Sequence, residues 1–290
     1  MDNMSSWFPR RPRYAAAALL TAMLALSSCT AATDSQHPQG ASKTTSAGST
    51  QPDAAGADDN PQYLRAEVVA RHPFDEASFT QGLEVDQRGH LLVSTGQTGQ
   101  SRIYRRDMDG RELQSADLDR EFFGEGITRV GPTIWQLTWR DHVAVRRDAE
   151  TLEETGRVSW PGEGWGICAL TDQLLVASDG SPQVRLLDAA TLREVSRTTV
   201  GGTTPIAGLN ELECVNGKVY ANVFLTDQIV GFDPHSGRVL AHIDASGLPN
   251  NAKPDVDNVL NGIAHLPGTD RFLLAGKRWP DLYEVTFVPR

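Results

Sequence analysis

The chain has 290 residues, 39% of them hydrophobic and 7% aromatic, which predicts one or two globular domains. The 37 acidic residues outnumber the 27 basic ones and give a net charge of −10, a balance that argues against a nucleic-acid partner. Three cysteines are too few for a disulfide-rich scaffold or a four-cysteine zinc site.

The N-terminus has the features of a bacterial secretion signal. Three arginines precede a mainly apolar run at 14–26, which is too short to cross a bilayer as a helix. The run ends in Leu26-Ser27-Ser28-Cys29, and small residues before a cysteine resemble a lipobox. We therefore predict a signal peptide at 1–28 and acylation of Cys29. Ordinary cleavage near Ser28, with Cys29 incidental, is the alternative.

The segment that follows has nothing to bury. Residues 30–62 contain no Val, Ile, Leu, Met, Phe, Tyr or Trp. Ordering such a segment costs entropy without return, so we predict a lipidated cysteine and flexible tether at 29–62 and a folded domain at 63–290. These features predict a lipoprotein of the bacterial cell envelope that faces the periplasm and contacts the membrane only through its lipid. The residue after Cys29 is Thr30 and not the Asp that favours retention in the inner membrane, which points to the outer membrane.

The domain contains an internal repeat. Four similar turn segments begin with Asp107, Asp148, Asp188 and Asp233, at spacings of 41, 40 and 45 residues. Each aspartate can accept backbone N–H groups two residues on, as in a hairpin turn. A second motif occurs five times upstream of these turns, at 81–83, 125–127, 165–167, 211–213 and 261–263. A period near 40 with three or four short strands per unit predicts an all-β fold, a five-bladed β-propeller.

The fifth unit lacks a strand. It supplies apolar segments only at 261–266, 271–277 and 282–287 before the chain ends. An alternating segment at 64–70 precedes the first unit. We predict that this N-terminal strand completes the last blade and closes the ring, because closure removes two unpaired sheet edges.

The starts of the first strands carry an unusual set of side chains. If the units superpose, aromatic, amide and carboxylate groups meet at one mouth of a central channel, as in a pocket for a small polar ligand. The set is Phe79, Gln81, Phe123, Glu125, Trp165, Asn210, Glu211 and Asn261.

Glu125 is the candidate general acid and base. Its apolar neighbours would raise its pKa towards neutrality, which suits it to proton transfer. The alternative is a structural carboxylate that accepts backbone N–H groups at the channel. Trp139 and Lys277 lie at strand ends. The plain interpretation is that Trp139 packs in the core and that Lys277 is solvated. The alternative is that both side chains lie at the same channel mouth.

Seven motifs in order resemble the papaya-type glutaminyl-peptide cyclotransferases, a family with plant and bacterial members. They span about residues 74–285. They are Phe79-Thr80-Gln81-Gly82-Leu83, Phe123-Gly124-Glu125-Gly126-Ile127, Gln136-Leu137-Thr138-Trp139, Gly164-Trp165-Gly166, Ser178-Asp179-Gly180-Ser181, Leu209-Asn210-Glu211-Leu212-Glu213, and Leu260-Asn261-Gly262-Ile263 with Gly276-Lys277-Arg278-Trp279-Pro280.

The resemblance implies a five-bladed propeller enzyme that converts the N-terminal Gln of a peptide or protein to pyroglutamate and releases ammonia. It assigns catalysis to Glu125, and we add Lys277 as a candidate oxyanion donor, with an amide such as Gln81 or Asn210 as the alternative. At one site position the family has a Trp after Ala-Asn-Val. This chain has Phe224 there, which lacks the indole N–H. The matching site positions are Phe79, Gln81, Phe123, Glu125, Trp139, Trp165, Asn210 and Lys277.

We expect a monomer that needs no cofactor or catalytic metal, with a structural calcium ion in the channel left open. Two other classes compete with the cyclotransferase interpretation. A lactonase-like propeller hydrolase would hold a metal through Glu84, Glu125, Asn210 and Asn261. A non-catalytic propeller would act as an envelope scaffold.

Cys168 and Cys214 occupy equivalent places in adjacent units, four residues after Gly164 and Asn210. In an oxidising compartment they could form a disulfide, and chance equivalence explains the spacing equally well.

Overall fold

The computed structural model describes residues 60–290. The predicted signal peptide, Cys29 and nearly all of the predicted tether lie outside the described residues. The described residues form twenty β-strands and contain no α-helix, so the all-β prediction is confirmed. Within residues 60–290, no helix is long and apolar enough to cross a membrane.

Three four-stranded antiparallel sheets follow one another along the chain, each with its strands in sequence order. The first group is β2 (Thr80–Val85), β3 (Leu91–Thr95), β4 (Arg102–Arg106) and β5 (Glu112–Asp117). The second is β6 (Gly124–Val130), β7 (Thr133–Thr138), β8 (Val143–Asp148) and β9 (Glu154–Ser159). The third is β10 (Ile167–Thr171), β11 (Leu174–Ala177), β12 (Gln183–Asp188) and β13 (Glu194–Thr199).

The other eight strands form a single sheet. It contains the fourth and fifth strand groups of the chain. The fourth group is β14 (Leu209–Val215), β15 (Lys218–Val223), β16 (Gln228–Phe232) and β17 (Val239–Asp244). The fifth group is β18 (Leu260–His265), β19 (Arg271–Gly276), β20 (Asp281–Pro289) and the N-terminal strand β1 (Gln62–Pro73). The strand order is β14-β15-β16-β17-β1-β20-β19-β18.

The strand β1 joins these two groups. It pairs antiparallel with β20, from Leu64 opposite Pro289 to Pro73 opposite Asp281, and parallel with β17 near its N-terminal end. β1 is longer than the predicted segment at 64–70 and begins at Gln62, one residue before the predicted domain boundary. Because β1 hydrogen-bonds to a strand on each side, the fourth and fifth groups share one sheet, which the repeat pattern did not predict.

The repeated aspartates lie in the turns between the third and fourth strands of their groups. Asp148 shows the pattern: its Oδ1 accepts the backbone N–H groups of Glu150 and Thr151 at 2.9 and 2.8 Å. Asp188 and Asp233 accept the equivalent bond from the residue three positions on. The same turn chemistry therefore recurs in the second, third and fourth groups, whereas Asp107 in the first group accepts the Arg111 backbone N–H four residues on.

Apolar cores lie between neighbouring groups. Leu92 of the first group packs in one cluster with Ile127 and Ile134 of the second. Further clusters join the second group to the third, the third to the fourth, and the fourth to the fifth. A last cluster contains Leu83 from β2 together with Leu273 from β19, so the fifth group packs back against the first.

The first strands of the groups also contact one another in a cycle. β2 contacts β6, β6 contacts β10, β10 contacts β14, β14 contacts β18, and β18 contacts β2. The Gly126 N–H donates to the Trp165 carbonyl at 2.8 Å. A Cβ on Gly126 would lie 2.6 Å from that carbonyl oxygen, so only glycine allows this approach.

A disulfide between Cys168 and Cys214 links β10 to β14, with the Cα atoms 5.4 Å apart. The pairing that the sequence left open is therefore present in the structure. It crosses the boundary between the third and fourth groups, where both cysteines also pack in the apolar core.

Replacing both cysteines with alanine should lower the free energy of unfolding in oxidising buffer, because the cross-link restricts the unfolded chain. For a sequence separation of 46 residues the chain-entropy model gives about 4 kcal/mol. Chemical denaturation of wild type and variant measures the difference. The same comparison under reductant is the control, and there the gap should shrink to the packing loss alone. Equal midpoints in oxidising buffer would show that the bond contributes nothing.

Candidate active site

Five aromatic side chains form one buried cluster at the ends of strands from different groups. Phe79, Phe123 and Trp165 lie just before or at the start of β2, β6 and β10, whereas Trp139 and Phe224 directly follow β7 and β15. Phe79 and Phe123 meet edge to face with centroids 6.1 Å apart. The centroids of the Phe123–Trp139 and Trp165–Phe224 pairs are 5.5 and 5.4 Å apart. The ring positions predicted for the site therefore lie together.

Polar side chains from three first strands are hydrogen-bonded beside this aromatic wall. Gln81 donates through Nε2 to Glu125 Oε1 at 3.1 Å. Asn261 donates through Nδ2 to Gln81 Oε1 at 3.0 Å. All three side chains are almost completely buried. This chain of amides fixes the orientation of the single carboxyl group at its end.

Lys277 follows β19 and is fully buried. Its Nζ lies 4.9 Å from the centroid of the Phe79 ring and 4.8 Å from that of Phe224, within cation–π range of both. Burial lowers the pKa of Lys277 to about 8, and the nearby Glu125 carboxylate opposes that decrease. The lysine therefore loses its proton at a lower pH than an exposed lysine would.

Burial raises the pKa of Glu125 well above its ordinary value. The positive charge of Lys277 lowers this pKa in part, and the negative charges of Glu163 and Asp141 raise it further. A raised pKa makes the Glu125 carboxylate a stronger base than an ordinary glutamate, and its protonated form can return the proton.

Asn210 at the start of β14 is buried, and its side-chain Oδ1 and Nδ2 have no hydrogen-bond partner among the described residues. A buried amide without a partner is unfavourable, so a polar ligand at this position would stabilise it. Its backbone carbonyl accepts the Ser178 hydroxyl at 2.7 Å, which holds β14 against the third group.

Glu163 was not identified by the sequence reasoning. Its Oε2 accepts the indole N–H groups of Trp139 at 2.9 Å and Trp165 at 3.0 Å. Its Oε1 accepts Arg140 Nε at 2.8 Å. One pattern could have revealed it: Gly162-Glu163-Gly164 repeats the Gly-Glu-Gly sequence around Glu125.

Glu211, which shared the predicted position in its unit, has a different environment. Its carboxylate accepts the backbone N–H groups of Leu83 at 3.2 Å and Ile263 at 2.7 Å, so it ties β14 to β2 and β18. Glu84 likewise accepts the backbone N–H of Arg129 at 3.0 Å. Within residues 60–290, no group of three or more His, Cys, Asp or Glu residues is arranged to hold a metal ion.

The fold and the site together define a class: an all-β enzyme whose buried aromatic cluster lies beside a buried glutamate, a buried lysine and several buried amides. A model of the family described as glutamine cyclotransferase matches residues 40–287. The chain belongs to the glutamine cyclotransferase family.

Two relatives support this assignment. A glutaminyl-peptide cyclotransferase from Arabidopsis thaliana is 32% identical over 226 residues, which is 76% of this chain and 70% of the relative. The crystal structure of Myxococcus xanthus glutaminyl cyclase superposes with a TM-score of 0.75 at 30% identity. That match covers 80% of this chain and 100% of the bacterial one.

Proposed function

We propose that this protein converts the N-terminal Gln of peptides and proteins to pyroglutamate with release of ammonia, and that Glu125 carries the proton. The activity is that of the glutamine cyclotransferase family, to which the chain belongs. The observation that carries the proposed roles is that Glu125 and Lys277 are both buried at the site, with Glu125 held by Gln81 and the Nζ of Lys277 over the rings of Phe79 and Phe224. We propose that the protein acts as a monomer.

The proton balance of the reaction fits one carboxylate. The neutral α-amine attacks the side-chain carboxamide carbon, which forms the lactam C–N bond and breaks the bond to the amide nitrogen. Glu125 accepts a proton from the attacking amine and delivers it to the departing nitrogen, so that ammonia leaves. The carboxylate ends the reaction in its starting state, and no cofactor is required.

The surrounding groups have complementary tasks. Lys277 in its ammonium form donates to the oxygen that becomes negative during the attack. Gln81 holds the Glu125 carboxyl group, and the unpartnered Asn210 amide is available to the substrate. The aromatic side chains exclude water and keep the Gln side chain folded over its own amine. Because the attack is intramolecular, orientation supplies much of the acceleration.

We further propose that the five strand groups are the blades of a propeller. The cyclic contacts of the first strands and the return of the fifth group to the first support a closed ring. β1 would then be the fourth strand of the last blade, since it lies next to β20. In such a ring the first strands line the axis, and Gln81, Glu125, Asn210 and Asn261 share one end of it.

Glu125→Gln should reduce kcat by about 100-fold or more, because the amide cannot accept and return the proton. Ammonia release from a Gln-initiated dipeptide measures it, in a buffer with a chelator to exclude a metal-dependent route. Glu213→Gln is the matched control. Burial also raises the pKa of the Glu213 carboxyl group, but this group accepts the backbone N–H of His265. Near-wild-type turnover by folded Glu125→Gln would refute the role of Glu125, and loss of wild-type activity with the chelator would refute metal independence.

The dependence of kcat/KM on pH should be bell-shaped. Below the raised pKa of Glu125 the carboxylate is protonated and cannot act as the base, and acid also protonates the attacking α-amine of the substrate, so activity falls with acid. Above about pH 8 Lys277 loses the proton that makes it a strong donor, so activity falls with alkali. Lys277→Arg keeps its charge and should move only the alkaline limb upwards. An alkaline limb at the same pH in wild type and Lys277→Arg would contradict the role of Lys277.

We also propose that the protein is an envelope lipoprotein, which faces the periplasm and favours the outer membrane. The lipobox-like sequence before Cys29 and the polar segment after it support this. The Cys168–Cys214 disulfide is consistent with an oxidising compartment.

Cys29→Ala should abolish incorporation of labelled fatty acid and release the protein from membrane fractions, because no other site is predicted to carry lipid. Replacing Cys168 and Cys214 instead is the control and should leave the label in place. Labelling of the Cys29→Ala protein at wild-type level would disprove the anchor.

A further inference from the structure

The carboxylate of Glu163 connects two parts of the aromatic wall. Trp139 follows β7 in the second group, and Trp165 precedes β10 in the third. Both indole N–H groups point to the same Glu163 oxygen, at 2.9 and 3.0 Å. The backbone carbonyl of Glu163 also accepts the indole N–H of Trp160 at 3.1 Å. Three of the indoles in the domain thus converge on a single residue.

This geometry fixes how the rings are turned. An indole has one N–H donor and no acceptor, so a hydrogen bond to that group sets the rotation of the whole ring. Trp139 then contacts Phe123, and Trp165 contacts Phe224, at centroid separations of 5.5 and 5.4 Å. The orientation of one carboxylate is therefore transmitted to four of the five rings of the wall.

A carboxylate suits this position better than an amide would. Its two oxygens only accept, and the three side-chain groups that face them only donate: two indoles and the Arg140 guanidinium. Arg140 also lies over the Trp139 ring, with its Cζ 4.0 Å from the centroid. A glutamine would place its NH2 group against one of these donors.

We propose that Glu163 is a positioning residue for cyclisation, one that holds Trp139 and Trp165 in the orientation that folds the substrate side chain over its amine. The inference rests on the proposed function and adds a residue to it. Glu163 acts through the two tryptophans rather than by transferring a proton. Its removal should therefore lower kcat while leaving the fold intact.

The test compares Glu163→Leu and Glu163→Gln with wild type in the full-length protein. Glu154→Leu is the matched control, because Glu154 pairs with an arginine at 2.7 Å and its side chain has the same 33% exposure as that of Glu163. We expect Glu163→Leu to lose about 100-fold in kcat on a Gln-initiated dipeptide, as displaced positioning groups do. Glu163→Gln should recover about tenfold of that loss and stay about tenfold below wild type, since its oxygen still accepts from the indoles but its NH2 group would face the Arg140 donor. The control should retain wild-type kcat.

Tryptophan fluorescence and the thermal midpoint separate positioning from stability. Both Glu163 variants should change the emission spectrum at a midpoint close to that of wild type. Wild-type kcat in folded Glu163→Leu would overturn the proposal, as would equal kcat losses in the Leu and Gln variants. If Glu163→Leu does not fold, a wild-type kcat and spectrum in Glu163→Gln would overturn it. A wild-type protein that releases no ammonia would refute the proposed function itself, and the Glu163 role with it.

Discussion

The site depends on how closely the first strands of neighbouring groups approach one another. A side chain at Gly126 would collide with the Trp165 carbonyl, and one at Gly166 with the Asn210 carbonyl. Each of these glycines follows directly after a residue of the site, Glu125 or Trp165. The lack of a side chain at each glycine therefore lets the preceding site residue lie close to the neighbouring strand. The crowding that requires glycine also gathers polar groups that are far apart in the sequence.

The same crowding sets the electrostatics. Little water remains around Glu125 and Lys277, so burial destabilises the charged form of each and moves the two pKa values towards each other. An isolated buried charge would be costly, and here each group offsets the penalty of the other. Gln81 adds a hydrogen bond to the carboxyl group, and the rings of Phe79 and Phe224 face the ammonium. Burial and these contacts together therefore set the charge states of the two groups on which the proposed function depends.

The sequence could predict features that recur from unit to unit, because each unit forms the same short strands and turns from residues close together in the chain. The aspartate turns, the strand segments and the positions of Phe79, Phe123 and Trp165 follow from periodicity and residue type, whereas Phe224 was placed at the site only by the family resemblance. Contacts between units were harder to predict. The parallel pairing of β1 with β17 depends on the spatial neighbour of the last group, which no local pattern encodes. Glu163 was missed for a similar reason, because its importance comes from two tryptophans in different groups that meet at its carboxylate.

Phe224 shows how the site accommodates a departure from the family pattern, in which the resemblance places a tryptophan. The ring meets Trp165 in an edge-to-face pair, and the Nζ of Lys277 lies 4.8 Å from its centroid, so the observed contacts are made by the aromatic ring itself. Neither contact requires an N–H donor. The indole N–H of its neighbour Trp165 is already satisfied by Glu163 rather than by a group on the Phe224 side. A phenyl ring can therefore complete the wall here, because orientation is imposed on Trp165 by Glu163 and then passed to Phe224 by packing.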